Sequence, residues 1–438
     1  MMVGAPTILL LALSARTVTL GEAEHAAESQ QTSVRVAEAN SAIGAAKTVQ
    51  ARSPLLPQVL VEGEYDRTTG NRRQRPGRTA LVDNSWNFYN WFEGQVKASQ
   101  LIWDFGRSLN GWRAAEMRAV ALSDTERAVK LEAVATVRAA YFRARASKAM
   151  IAVASQTLAN TERHLVQITG FVQAGARPEI DLAQARAGRA NARVGVIRAE
   201  NDFTVSRAEL NRAMGVAGDT DYDVADDTLT TVPGETGAIG ALIEEAIQAR
   251  PDVAALDRQV QAQELTARAI RGNYWPVLNL VGGARDEGQS IQQTRTLDNL
   301  GNLVTYGGMA WNVWGGVQLT WPVFQGLLTH GQVREADAAL VSLRAQRDGL
   351  TQQVWVAVQR AASDVRSAQE AIVAADEALS AARERLRLAD GRYAAGVGSI
   401  IELSDAELGA ANAGAQRVAA EYALSIARAA LILALGRR

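Results

Sequence analysis

The stretch that decides the fold is RYAAGVGSIIELSD, residues 392–405. An Ala-rich heptad pattern runs into it, and a second helical pattern leaves it. Between them, Gly396, Val397, Gly398 and Ser399 read as a tight reversal. Glycine tolerates the left-handed backbone that ends a helix, and a serine side chain caps the next helix by accepting from its free N–H groups. The stretch is therefore the tip of a helical hairpin. Glu402 and Asp405 follow at a spacing of three, which puts both carboxylates on one helix face.

The same tip occurs earlier, as FVQAGARPEIDLAQAR over 171–186. Aligning Gly175 with Gly396 sets Ile180 on Ile401, Asp181 on Glu402, Leu182 on Leu403 and Ala185 on Ala406, an offset of 221 residues (396 − 175). The chain reads as two tandem copies of one unit, an internal two-fold repeat.

The approach to each tip is long. Residues 112–169 contain neither Gly nor Pro, and as one helix they would extend ~85 Å at 1.5 Å per residue. Positions 333, 336, 340, 343, 347, 350, 354, 357 and 361 step by three and four, and all but Arg347 are apolar or Ala. After one extra step of four, to 365, the alternation resumes through 368, 372, 375, 379, 382, 386, 389 and 393. This is a heptad seam with one stutter, which locally unwinds the supercoil. Its many alanines let neighbouring helices approach closely.

Upstream of each long helix the period changes to two. In 56–66, Val59, Val61 and Tyr65 alternate with Leu60, Glu62, Glu64 and Asp66. In 86–103, Val96, Ala98 and Ile102 alternate with Gln95, Lys97 and Ser99. Residues 276–283 match the first strand, Pro276 falling on Pro57, and Val317, Leu319, Trp321 and Val323 alternate with Gln318, Thr320 and Pro322 in a fourth. Such alternation marks strands with two unlike faces. An Arg-rich segment, 67–85, and the polar 285–310 read as loops joining the strands. Trp86, Trp91, Trp311 and Trp314 gather where these loops meet the strands.

Each copy thus reads helix, strand, loop, strand, long helix, tip, helix. The boundaries are a candidate leader at 1–18; a first repeat at 19–214 with a hairpin at 56–103, a long helix at 107–174 and a return helix at 179–214; a linker at 215–240; and a second repeat at 241–438 with a hairpin at 276–324, a long helix at 328–395 and a return helix at 399–435. The leader has a short apolar core at 8–13, though no Lys or Arg precedes it. In the linker, Asp219, Asp221 and Asp223 suggest a calcium loop, but Val224 and Thr230 stand where that loop needs Gly and Glu.

Composition narrows the function. Net charge is −1, which leaves no bulk electrostatic case for nucleic acid. There are no cysteines, hence no disulfide, thiol nucleophile or Cys-zinc site. His25, His164 and His330 have no metal-ligand spacing and read as structural or solvated, so neither metal nor cofactor is expected. No apolar run reaches the ~18–20 residues of a membrane-spanning helix. Strands with an apolar face, a polar face and aromatic ends instead suit a membrane β-barrel. Two strand pairs cannot close one, and hydrocarbon tolerates no open strand edge, so several chains must share a barrel. Three chains of four strands would make a twelve-stranded barrel.

From about residue 19 to 436 the chain resembles the TolC-like outer membrane efflux proteins. The resemblance is carried by Thr19-Leu-Gly-Glu-Ala23, Pro57 and Pro276, Trp321-Pro-Val-Phe-Gln-Gly326, Gly175 with Ile180-Asp-Leu182, and Tyr393 with Gly396-Val-Gly-Ser399 and Glu402-Leu403. It implies an α+β membrane protein: a homotrimer whose twelve-stranded barrel, four strands per chain, sits in outer membrane lipid and continues as a coiled-coil helical barrel in the periplasm. The implied function is a passive exit duct of a tripartite efflux or type I secretion system, not an enzyme. A periplasmic adaptor (membrane fusion protein) and an inner-membrane transporter of RND, ABC or MFS type would dock at the tips and open them.

The resemblance also implies site residues. Asp181 and Tyr393 would belong to the links that close the entrance, and Glu402 and Asp405 to an acidic ring that attracts cations. Gly175, Gly396 and Gly398 would form the adaptor-contact tips, and the four tryptophans a membrane girdle. A basic residue is implied two positions after the second tip glycine, where this chain has Gly398. On the residues alone, Tyr393 also fits as seam packing, and the acidic residues fit as first-turn partners of the helix dipole. The alternative reading of the whole chain is a non-membrane coiled-coil scaffold or adaptor.

Overall fold

The computed structural model describes residues 17–69, 88–218, 221–297, 301 and 303–438. Trp86, Asp219, most of the Arg-rich segment and nearly all of the candidate leader lie outside these residues. In chain order the elements are β1 (Thr17–Val18), α1 (Leu20–Gln30), α2 (Thr32–Arg52), β2 (Gln58–Thr69), β3 (Phe88–Trp103), α3 (Arg107–Gln173), α4 (Glu179–Met214), β4 (Asp223–Val224), α5 (Ile239–Ala249), α6 (Pro251–Arg271), β5 (Val277–Leu297), β6 (Leu303–Thr320), α7 (Leu328–Ala394) and α8 (Ile400–Ala434). The two long helices, α3 and α7, are 67 residues each.

The chain forms two compact units, each drawing on both copies of the repeat. The first comprises the described part of Met1–Ser41 with Ala121–Asp257 and Gln346–Arg438; the second comprises Ala42–Val120 and Arg258–Ala345.

The first unit is helical and has three apolar clusters. One joins Tyr141, Phe142 and Leu210 to Tyr222 and Val224. A second joins Leu242 and Ile243 to Val354, Val358, Val365, Leu431 and Leu435. The third lies at the hairpin tips. Every heptad position from 347 to 393 is buried or half-buried, as a seam requires. Arg347, its one charged member, reaches Asp257 at 3.2 Å. Gly215 ends α4 in left-handed backbone (φ +76°), and a Cβ there would stand 2.7 Å from the Gln30 carbonyl group.

The second unit carries the four-stranded sheet, ordered β2-β3-β5-β6 and antiparallel throughout. Its two edges are β2 and β6. The register puts Val59, Val61 and Tyr65 on one face with Phe92, Val96, Ala98, Leu280, Val313, Val317 and Leu319. Glu62, Glu64, Gln95, Lys97 and Arg285 stand on the other, where Lys97 and Gln95 both reach Glu62 (3.0 and 2.7 Å). The apolar face is the bare one: Val61 is 74% exposed, Val313 68% and Leu319 64%.

Two expectations change here. The segment 285–310 is not a loop: β5 and β6 continue through it to the Leu297–Leu303 pair, with a register shift between Gly288 and Gln293. The antiparallel ladder satisfies backbone groups whatever the side-chain polarity, so polar composition does not stop the strands. The tryptophan girdle also changes. Residues three apart in a strand point to opposite faces. Trp311 is therefore on the apolar face, 79% exposed, whereas Trp314 shares the polar face with Lys97 and Arg285. Trp91, paired with Asp66, is also on the polar face and is buried. Among the described side chains at the Trp311 end of the sheet, Tyr65, Phe88 and Phe92 share its face, and Tyr65 and Phe92 touch at 5.1 Å between ring centres.

Candidate functional site

The candidate site is the pair of hairpin tips in the first unit. Both reversals are built alike. Gly175 (φ +73°) and Gly396 (φ +81°) take the left-handed position after α3 and α7. Ala176 N–H returns to Phe171 O (2.8 Å) and Gly175 N–H to Val172 O (3.0 Å); Val397 N–H returns to Arg392 O (3.0 Å) and Gly396 N–H to Tyr393 O (3.1 Å). These are paired six-to-one and five-to-two bonds that satisfy the last carbonyls of a helix. The return helices start differently. Pro178 precedes α4 with no side-chain cap, whereas the Ser399 hydroxyl accepts from Glu402 N–H at 3.1 Å.

The tips pack on each other around Ile168, Ala389, Tyr393, Leu403 and Ala406, with Phe171, Leu182 and Ile400 at the margin. Into this apolar cluster the two hairpins send one polar pair. Tyr393 Oη donates to Asp181 Oδ2 at 3.0 Å, and both residues are buried. Burial pushes the Tyr393 hydroxyl up to about 12, the hydrogen bond and charge of Asp181 add to the rise, and Arg177 opposes it. A buried carboxylate needs such partners, because an unpaired one is strongly disfavoured.

Two further side chains belong to the site and were not expected. Arg177 lies with its guanidinium carbon 4.4 Å from the Tyr393 ring centre and donates to two backbone carbonyls of the second tip. His164, read as structural or solvated, is buried between hairpins: Nδ1 pairs with Glu407 Oε1, and Nε2 is 3.4 Å from Asp390 Oδ1. No sequence spacing links 164, 390 and 407, since they meet only when α3, α7 and α8 pack.

The acidic pair is divided. Glu402 forms an ion pair with Arg392 at 3.1 Å, while Asp405 is exposed. At Gly398, a Cβ would stand 2.9 Å from Tyr393 N and 3.0 Å from Arg392 C. The basic residue that the resemblance implies there has no room.

At the opposite end of the sheet from Trp311, the second unit carries another aromatic set that sequence reading missed. Trp103, Phe105, Trp275, Trp321 and Phe324 are exposed, Phe105 stacks on Trp275 at 5.2 Å, and Trp321 Nε1 donates to Tyr274 O. Trp103 is the last residue of β3 and the others lie outside strands; alternation through 321–323 suggests that the fourth strand runs on, but β6 ends at Thr320 and Trp321 follows it. No metal-binding group of His, Asp and Glu occurs among the described residues, and no described helix is long and apolar enough to cross a membrane.

The fold and site define a class: two helical hairpins locked tip to tip, together with a four-stranded sheet whose bare face is apolar and whose edges are open. The chain belongs to the outer membrane efflux protein family, whose model matches residues 24–216 and 242–437. Among relatives, it is 25% identical to the outer membrane protein OprJ of Pseudomonas aeruginosa over 357 residues, 79% of this chain and 70% of OprJ. It is 24% identical to the protein CyaE of Bordetella pertussis over 361 residues, 82% of this chain and 71% of CyaE. It is 23% identical to the probable outer membrane lipoprotein SilC of Salmonella typhimurium over 320 residues, 69% of this chain and 63% of SilC. Its fold is that of CusC, a transmembrane channel (TM-score 0.79, 18% identity, 97% of this chain and 94% of CusC). It is also that of the outer membrane protein VceC of Vibrio cholerae (TM-score 0.79, 17% identity, 95% and 96%).

Proposed function

We propose that the chain is one third of a trimeric outer membrane duct through which an efflux or type I secretion system discharges its cargo. The observation that carries this reading is the sheet. Its apolar face is bare from Trp311 to Leu319, nine residues along β6, and a barrel strand crosses the bilayer in ~9–11 residues. Trp311 and Trp321, just past the end of β6, are ten residues apart, about 33 Å along the strand direction, which at a tilt of about 40° rises about 25 Å, the height of the apolar band of an outer-membrane barrel. The edges β2 and β6 must be paired in lipid, and copies of the same sheet supply that pairing. A soluble scaffold has no use for a bare apolar face ended by aromatics.

The hairpin tips form the periplasmic entrance. Exposed Ile180, Val397 and Ile401 give them an apolar surface for an adaptor, itself linked to an inner-membrane transporter that supplies the energy. The duct does no chemistry. Asp181 and Tyr393 hold the entrance closed, and Asp405, in each of three chains, rings it with carboxylates. The test is the oligomer mass of detergent-purified protein together with its single-channel conductance in a planar bilayer. A trimer with small, cation-selective conductance is expected. A monomer soluble without detergent and giving no channel would replace the duct with the scaffold reading.

A further inference from the structure

Arg177 is a basic side chain that crosses from one tip to the other. It lies in the first reversal, between left-handed Gly175 and Pro178. Its Nη2 donates to Tyr393 O at 3.0 Å and to Gly398 O at 3.1 Å, and its guanidinium covers the Tyr393 ring. Both acceptors belong to the other hairpin, one in the last turn of α7 and one in the loop after it. The last carbonyls of a helix lack partners within it and carry the negative end of its dipole, so a cation is favoured there. Arg177 thus caps the C-terminus of α7 from the neighbouring hairpin.

Gly398 makes the arrangement possible. The loop turns back so closely on Arg392 and Tyr393 that a Cβ at 398 would stand 2.9 Å from Tyr393 N and 3.1 Å from Arg392 Cβ. Without a side chain, Gly398 O comes beside Tyr393 O, and one guanidinium nitrogen serves both. Tyr393 is then held at three points by the first hairpin: its hydroxyl by Asp181, its ring face and its carbonyl by Arg177.

We propose that Arg177 is a pin that fastens the two hairpin tips into one unit, so that the tip opens only when its guanidinium leaves the two carbonyls. The gating consequence rests on the entrance reading above. Lysine cannot replace it, because an ammonium is a point donor without a planar face to lay on the ring.

The test is hydrogen exchange read by mass spectrometry on detergent-purified full-length protein, over the peptide containing the Gly396, Val397 and Gly398 amides. Arg177→Ala is expected to speed their exchange about tenfold, as loss of charge-assisted hydrogen bonds implies, and Arg177→Lys to give a smaller increase in the same direction. Gly398→Ala leaves Arg177 in place but moves its acceptor, and should match Arg177→Ala. Unchanged exchange in Arg177→Ala and Gly398→Ala would overturn the pin. Faster exchange with wild-type conductance would overturn its gating role. If the wild-type protein forms no channel, the duct reading and the gating role both fall, while exchange still decides whether Arg177 fastens the tips.

Discussion

Replacing Tyr393 with Phe removes one oxygen and tests the proposed closure of the entrance directly. In the native tip that oxygen donates to Asp181 Oδ2 at 3.0 Å, and Asp181 is only 6% exposed. Phe keeps the ring against Phe171 and Leu403 but leaves the carboxylate short of a donor. A hydrogen bond to a charged group contributes about 1.5–3 kcal/mol. If opening breaks it, the closed-to-open ratio falls roughly tenfold to a hundredfold per chain, since 1.4 kcal/mol is a factor of ten. The assay is single-channel open probability in a planar bilayer, with trimer content matched by mass measurement. Asp181→Asn is the control, because an amide oxygen still accepts from the Tyr393 hydroxyl, and it should open the channel less than Tyr393→Phe does.

The same pair predicts an alkaline response. The hydroxyl of Tyr393 is raised by burial, then by Asp181, to about 12. A free tyrosine ionises near 10, so between those values an opened or unfolded tip releases a proton that the closed tip retains. Stability from this group is complete below about pH 10 and is lost as pH rises through about 12. Wild-type open probability should therefore climb above pH 10, and Tyr393→Phe should lose that component. A Tyr393→Phe channel with wild-type open probability and an unaltered alkaline rise would refute the link.

Other outcomes follow from the same geometry. Asp405→Ala should relieve block of current by multivalent cations more than Glu402→Ala does, because Arg392 already offsets the Glu402 charge; equal effects would mean that the Arg392 pair does not hold. His164→Phe leaves Asp390 and Glu407 facing each other without the ring nitrogens, and thermal unfolding should show a loss of about 1–3 kcal/mol. Glu235 is buried, which raises its carboxyl, but Arg428, the Val232 N–H and Gln369 outweigh this and hold it below the usual range. Its contribution is therefore complete above the ordinary carboxylate pKa and is lost as pH falls through the depressed one. Glu235→Gln should lower stability by about 3–5 kcal/mol at neutral pH and flatten the acid limb of a stability profile.

Much of the architecture was legible because it is written in periods. A spacing of three and four over sixty residues leaves no alternative to a long seam helix, and glycine followed by a capping residue leaves little alternative to a reversal. Repetition at 221 residues doubled each signal. Strand alternation was read correctly where residues alternate and failed where they do not. The segment 285–310 looked like loop because its side chains are polar, yet β5 and β6 extend through it on backbone pairing alone. The tryptophans were grouped by proximity in sequence, although an odd spacing within a strand separates Trp311 from Trp314 by the thickness of the sheet.

The sequence by itself determined the hairpins, the seam, the four strands and the positions of Asp181 and Tyr393 at matching tips. These depend on local periodicity and turn chemistry, which a chain carries along its own length. Only the tertiary structure decided which groups meet across hairpins. Arg177 touches Tyr393 and Gly398, more than two hundred residues away, and His164 lies between Asp390 and Glu407. Packing of separate helices brings these side chains together, and no spacing along one helix records that contact. The want of space at Gly398 is likewise a property of the folded loop, where backbone returns against backbone.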